Sequence, residues 1–410
     1  MLPVILIRLL WLSLRIPGYR RNWSGRFGYG PENVSEEKII WIPAVSVGEV
    51  KAASRLILAV ETALPDYRIV VSTTTPTGKI TLQKEFGDRV SHFYIAYDVP
   101  LFVRRMLQRL KPAICVLMET EIWPNLYHQC NSQNIPLLIA NARLSGSSFR
   151  GYQKLAGLTQ TTLQHVNLVL AQSAADAERF IALGCAAERV EVTGNLKFDL
   201  STDLVSVPGL LEPFNKVVEG RFTWIAASTH EGEEEIILAA HEKLISMAGN
   251  ALLIIAPRHP QRFDKVAALC SQHRFVTKRI SEISDESQDI EVVLVDSIGE
   301  LQKIFPLAKI AFVGGSLVPA GGHNMLEPAS MGLPVLSGPA FQNFLEIAEL
   351  LEKSGAMQVV NDRDSLVEAL SGLMDDERLR ESMGEKGRQV VKTHSGASQK
   401  TIKHIQAMLS

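Results

Sequence analysis

The chain has 410 residues, 46% hydrophobic and 21% charged, with a net charge of −2; this is an ordinary globular composition, long enough for two hydrophobic cores. The near-neutral balance and a pI near 6.6 leave no electrostatic footprint for nucleic acid. Cys115, Cys130, Cys185 and Cys270 lie far apart, without C-x-x-C spacing, and read as reduced core residues of a cytosolic protein.

Met1–Ile16 is apolar apart from Arg8, Ser13 and Arg15, and Arg20, Arg21 and Arg26 follow. The run is shorter than the roughly 20 residues a spanning helix needs, and it lacks the leading charges and trailing small residues of a secretory signal. Arg8 and Arg15 share one helical face, with Leu and Ile on the other. The segment 1–30 is therefore expected to be a shallow interfacial anchor whose arginines meet anionic headgroups; the alternative is a first helix packed on the protein's own surface.

From residue 38 onward, short β-branched runs alternate with amphipathic segments, the pattern of a parallel sheet with crossover helices. Strands are expected at 38–45, 67–73, 90–96, 112–118, 135–140, 167–171 and 189–193. The pattern weakens after Asp199 through Pro208, Gly209 and Pro213, which marks 201–220 as a linker between domains 31–200 and 221–375. A second series follows at 222–227, 251–256, 275–278, 291–295, 309–314, 333–336 and 356–360. A helical segment, 376–410, ends the chain and could cross back to the first domain. The fold class is α/β, with two Rossmann-like domains facing a cleft, and ligands in such folds bind at the carboxyl ends of strands.

Polar motifs fall at those ends. In the first half they are Ser46-Val-Gly48-Glu49, Glu119-Thr-Glu121 and Asn141-Ala-Arg143; in the second they are Ser228-Thr229-His230, Pro257-Arg258-His259, Gly299-Glu300 and a glycine-rich stretch. That stretch carries six glycines between Gly314 and Gly338, and their backbone freedom points to close approach of a phosphate. Asn324 suits an N-cap and Pro328 a first helical position, so a helix beginning between 324 and 328 would aim free N–H groups at an anion. Glu327 could accept hydrogen bonds from ribose hydroxyls, or close a capping box with Asn324. Glu49 could be a general base, or the third residue of a capping box opened by Ser46. Glu119 and Glu121 diverge if both lie in a strand, leaving one to face the cleft and Glu121 open to a capping role. Asp362-Arg363-Asp364 has the form of a metal-binding D-x-D, but at a helix start it reads as a cap.

Arg26-Phe-Gly28, Ser46–Glu49, Glu119–Asn125, Gly194-Asn-Leu-Lys197-Phe-Asp199 and Gly321–Pro328 together resemble the bacterial 3-deoxy-D-manno-octulosonic acid (Kdo) transferases. The resemblance spans nearly the whole chain and implies a GT-B type glycosyltransferase. It further implies CMP-Kdo as donor, a lipid A precursor (lipid IVA) as acceptor, no metal or other cofactor, and residence on the cytoplasmic face of the inner membrane. It makes 31–200 the acceptor domain and 221–375 the CMP-sugar domain. It favours Glu49 as the catalytic base, kept ionised by the helix start beneath it. Gly48 then lets substrate approach that helix, and Ser46, Glu119, Glu121, Arg143 and Lys197 are acceptor- or sugar-binding candidates. Donor-binding candidates are Ser228, Thr229, Arg258, Gly299, Glu300, Gly321, Gly322, Asn324 and Glu327. One position departs from the family pattern: two residues after Trp41, where the family usually has histidine, stands Pro43. A nucleotide-sugar epimerase of the same two-domain architecture is the alternative enzyme and a nucleotide-binding regulator the non-enzymatic one; a dehydrogenase or P-loop enzyme lacks its motif here.

Overall fold

The computed structural model describes residues 11, 14–15, 17–20, 23–30, 37–200, 212–283 and 289–410. Half of the expected anchor, including all of residues 1–16 except 11, 14 and 15, falls outside the described residues, as does 201–211 of the expected linker. Among the described residues no helix is long and apolar enough to cross a membrane. The chain divides into two compact units: one takes in the chain through Asp199 and again His394–Ser410, the other Leu200–Thr393.

The first unit is a seven-stranded sheet of β1 (Ile39–Pro43), β2 (Arg68–Thr73), β3 (Ser91–Tyr94), β4 (Ile114–Met118), β5 (Leu137–Ala142), β6 (Leu168–Ala171) and β7 (Val190–Val192). Its order is β3-β2-β1-β4-β5-β6-β7, and every pairing is parallel. Both faces must be covered in such a sheet, so its inner strands read as continuous apolar runs. Trp41, Cys115 and Leu117 feed the core on one face, while Ile40, Ile42 and Val116 feed the other with Val50, Ala53 and Leu56 of the Val47–Ala63 helix. β1 lies between β2 and β4, so the strand order reverses there, and the crevice at such a reversal is where ligands bind.

The expected terminal segment divides. The Glu377–His394 helix runs with the second unit, whereas the last helix, Ala397–Leu409, buries Ile402 and Ile405 in the first. Asp199 seats its start, accepting from Gly396 N at 2.6 Å and from Ser398 N, and Phe198 stacks on His394. Part of the Gly194–Asp199 motif is thus a clasp for the returning chain.

Arg26 departs from expectation. It is 3% exposed, donates to Thr74 O at 2.8 Å and lies over the Tyr94 and Tyr19 rings at 4.6 and 5.0 Å. Enclosed in this way it cannot serve a headgroup. Gly28, at φ 87°, has the Phe102 carbonyl where a Cβ would sit, so Arg26–Gly28 fastens the entering chain to the unit.

The second unit repeats the plan with β8 (Phe222–Thr229), β9 (Ala251–Pro257), β10 (Thr277–Arg279), β11 (Val292–Leu294), β12 (Ile310–Val313), β13 (Val335–Ser337) and β14 (Met357–Val359). The order is β10-β11-β9-β8-β12-β13-β14, again all parallel, with the reversal at β8. The expected linker is shorter than its proline pattern suggested. Glu212–Val218 is a helix whose Phe214 and Val217 enter this unit's core.

Candidate active site

In the first unit the chain leaves β1 at Pro43 and enters the Val47–Ala63 helix through Ser46. Ser46 Oγ accepts from Glu49 N at 3.2 Å and donates to Glu49 Oε1 at 2.8 Å, while Glu49 Oε2 accepts from Val45 N at 2.9 Å. Ser46 is therefore the N-cap, Glu49 reaches back to it and to Val45, and the Glu49 carboxylate is fixed in place at 7% exposure. Burial pushes its pKa from 4.5 up to about 7; the Val45 and Ser46 bonds pull down, and the charges of Glu121 and Glu119 push up further. The expected ionisation at neutral pH is thus corrected: burial outweighs the helix start, and the group is poised near half-ionisation. Gly48 is exposed and places no side chain above this carboxylate. Pro43 brings no side-chain polar group to the site, and Ser46 and Val45 do the orienting.

Glu119 and Glu121 sit in the turn after β4 rather than in the strand. Glu119 adopts φ 58°, and this left-handed residue breaks the alternation that would have sent the two side chains apart, so both charges act on Glu49. Burial raises both pKa values; for Glu119 the charges of Lys197 and Arg143 oppose the rise. The turn is tied down from several sides. Thr120 Oγ1 donates to Arg143 O, and Tyr127 OH, fully buried, donates to Glu121 O at 2.7 Å. Asn141, left-handed at φ 53° and 1% exposed, accepts from Leu196 N at 2.9 Å, which brings the loop carrying Lys197 to the end of β5.

Glu121 does not cap the following Pro124–Ser132 helix. Asp98 does, accepting from Asn125 N at 3.1 Å and Leu126 N at 2.8 Å. The sequence shows it only as an aspartate two residues before Pro100, 26 positions upstream of the helix it serves.

The second unit corrects more. Ser228 has φ 59° at the end of β8, but Thr229 is fully buried and its hydroxyl donates to Glu234 Oε1 at 3.1 Å. That hydroxyl is committed inside the protein and is not free for a ligand. Glu234 in turn holds Arg262 at 2.9 Å. Arg258 is exposed, with its backbone N bonded to Thr229 O at 3.0 Å. Gly299 turns at φ 92°, and Glu300 precedes the short Leu301–Ile304 helix, paired with Lys303 at 2.9 Å.

What approaches the backbone of 314–317 is not an outside phosphate but Glu233. Its Oε2 accepts from His230 N at 2.9 Å and Gly315 N at 2.7 Å, and its Oε1 from Ser316 N at 2.9 Å and Leu317 N at 2.8 Å. Glu233 is fully buried. A Cβ at Gly314 would lie 2.7 Å from Ser228 O, so glycine is required for this loop to close on the end of β8. Gly321 and Gly322, at φ 91° and 75°, turn the loop against Asn343 and Phe341. The helix beyond is only Leu326–Ser330, with Pro328 at its third position. The N-cap position falls on Met325, not on Asn324; Asn324, one residue earlier, accepts from Leu326 N at 3.1 Å and donates to Glu327 Oε1 at 2.9 Å. Asp362 is the expected cap: it accepts from Ser365 N at 2.9 Å, a bond that holds its carboxyl below the usual range.

Two parallel α/β sheets, each reversing beside a turn lined with polar groups, define a two-domain glycosyltransferase fold of the GT-B kind. A UDP-GlcNAc 2-epimerase from Neisseria meningitidis (TM-score 0.58, 13% identity, 90% of this chain and 100% of that one) shares this fold. So does a glycosyltransferase from Rickettsia africae (TM-score 0.55, 13% identity, 92% and 99%). Residues 21–200 match the family model of 3-deoxy-D-manno-octulosonic-acid transferase, and 275–390 that of glycosyl transferases group 1. The chain is 40% identical to the 3-deoxy-D-manno-octulosonic acid transferase of Haemophilus influenzae over 98% of its own length and 94% of that protein's. To its counterpart in Bordetella pertussis it is 33% identical over 90% and 87%. The chain belongs to the 3-deoxy-D-manno-octulosonic acid transferase family, and the transferase reading prevails over the epimerase, whose likeness is one of fold.

Proposed function

We propose that the protein transfers Kdo from CMP-Kdo to a hydroxyl of the lipid A precursor with inversion, without a metal ion, while associated peripherally with the cytoplasmic face of the inner membrane. The observation that carries the chemistry is Glu49: a fixed, buried carboxylate poised near neutrality by its own burial and two neighbouring glutamates. A base is most effective when its pKa lies near the working pH. The acceptor oxygen forms a bond to the anomeric carbon, the bond from that carbon to the CMP phosphate breaks, CMP leaves, and the hydroxyl proton passes to Glu49. Arg143 and Lys197, whose charges already act on Glu119, supply positive charge for the sugar carboxylate or the lipid phosphate.

The second unit takes the nucleotide. Glu327, with Asn324, serves the ribose, Arg258 the phosphate, and the turns at Gly299-Glu300 and Gly321-Gly322 line the base and sugar. Asp362 is engaged as a helix cap, which supports a metal-free site. The test is an assay with CMP-Kdo and lipid A precursor, with products resolved by mass. Addition of Kdo, unaffected by chelator, is expected; turnover lost to chelator and restored by Mg²⁺ would return Asp362 and Asp364 to the site. Release from anionic liposomes on deletion of 1–16, with CMP binding retained, is the expected sign of the anchor.

A further inference from the structure

The backbone amides that a phosphate would use at the reversal point of the second sheet are already filled by Glu233. A ligand anion arriving there meets a carboxylate beneath the loop and needs a cation between. On the same loop, His323 lies directly over Gly315, its ring 2.9 Å from where a Cβ would stand. That ring meets the His230 ring edge to edge, with centroids 5.0 Å apart and planes 15° from parallel, and the two Nε2 atoms are 2.8 Å apart. His259 sets its ring edge-on to His230 at 5.3 Å. Both paired rings are half-buried, so they border solvent.

Deepening the donor reading above and resting on it, we infer that the His230–His323 pair binds the donor's phosphate together with Arg258, parting and gaining a proton when that phosphate arrives. Two imidazole nitrogens facing each other at 2.8 Å share one proton, because one must donate and the other accept. A second proton sets two N–H groups against each other and drives the rings apart. Each is then a donor, and an anion's oxygens accept from both.

The surroundings keep the pair short of that second proton until an anion arrives. Burial holds the pKa of His230 below its ordinary value; Glu233 acts upward, and His259, Arg258 and Arg262 act downward. Arg262 is paired with Glu234 and Glu231 at 2.9 and 3.0 Å. A bound phosphate adds the negative charge that reverses this balance, so binding draws in a proton.

The experiment is titration of the full chain with CMP at pH 6.5, 7.5 and 8.5, in a Glu49→Gln background so that the Glu49 carboxylate, raised to about 7, is silent. CMP is mainly dianionic across this window, its second phosphate pKa being about 6. Affinity is expected to fall more than tenfold from pH 6.5 to 8.5, uptake of one proton limiting the slope to about tenfold per unit. A second protein carrying also His230→Gln and His323→Gln, shown to be folded by its melting curve, is expected to bind CMP more weakly at pH 6.5 and with no pH slope. Equal affinity at all three pH values in the histidine-intact protein overturns the inference, as does a slope that survives the double substitution. No CMP binding at any pH overturns the donor reading itself and this inference with it.

Discussion

Each unit places a Gly-Glu pair at the start of the helix that follows its reversal strand: Gly48-Glu49 after β1 and Gly232-Glu233 after β8. Both glutamates reach back to an amide of the preceding turn, Val45 N in one and His230 N in the other, each at 2.9 Å. Beyond that they part. Glu233 receives three further amides from a loop more than 80 residues away and is fully buried; Glu49 receives one serine hydroxyl and faces two like charges. A glutamate at the helix start after the reversal strand, third residue of the helix in one unit and its N-cap in the other, is a catalytic candidate in the first and a structural bolt in the second. The number of donors decides which, because a carboxylate saturated with N–H groups has nothing left to offer a substrate.

The largest effect that tests this contrast is on turnover. Glu49→Gln keeps the size and part of the cap but cannot take a proton, so kcat is expected to fall by roughly 10²–10⁴-fold with donor affinity nearly unchanged. Stability should move the other way. Because the Glu49 pKa is raised from 4.5 to about 7, folding favours its protonated form; that contribution is complete below about pH 4.5 and is lost as pH rises through 7. Glu49→Gln is therefore expected to melt no lower than wild type at pH 8, and relatively lower as pH falls toward 5. Turnover within threefold of wild type, together with a lower melting temperature at pH 8, would make Glu49 a cap only.

Glu233→Gln is the mirror experiment. The amide that replaces one carboxylate oxygen presents N–H groups to two N–H donors, and each unsatisfied buried donor costs about 1–3 kcal/mol. A loss of roughly 2–6 kcal/mol, read by denaturant unfolding, is expected at every pH where the variant folds. A variant as stable as wild type would show that the loop amides do not depend on Glu233 and would dissolve the contrast.

The two glutamates also mark how far the sequence could be read. All fourteen strands among the described residues were legible, the inner ones because parallel strands covered on both faces leave long apolar runs between turn residues, as in Ile39–Ile42 and Leu252–Ile255. Glu49 was legible because its partners Ser46 and Val45 are within four residues. Glu233 was not, since three of its four donors come from 315–317; the same glycines read alone pointed to a phosphate. Asp98 was missed for the same reason, acting on a helix that starts 26 residues later. Thr229 looked available because nothing local shows that Glu234 takes its hydroxyl. Local rules find caps and cores; carboxylates that reach across the chain are visible only in the fold.

A smaller effect is expected at Glu327, where the contrast meets the donor. Its carboxylate accepts from Asn324, three residues before it, and so is held locally, as Glu49 is, rather than by a loop far along the chain, as Glu233 is. Glu327→Ala is expected to weaken CMP binding by about 1.5–3 kcal/mol, as for hydrogen bonds to a charged group. Loss of the Asn324 contact should cost no more than about 1 kcal/mol of stability. Unchanged CMP affinity with a large drop in melting temperature would place Glu327 among the structural carboxylates.

The smallest effect probes the source of the Glu49 shift. Burial is its main cause, Glu121 contributes more than Glu119, and Glu119 has Lys197 and Arg143 acting on it. Activity requires the ionised base, so kcat/KM should fall as pH drops through about 7, giving an acidic limb that reports Glu49. Glu121→Gln removes a negative charge that disfavours ionisation, so the Glu49 pKa drops and the limb moves to lower pH. Because burial remains, the movement should be less than about one pH unit. Glu119→Gln should move it less still, since the charge it removes acts more weakly on Glu49. The order of the two shifts is the discriminating result: a limb that stays in place in both variants would mean that the group titrating in the reaction is not the carboxylate these glutamates face.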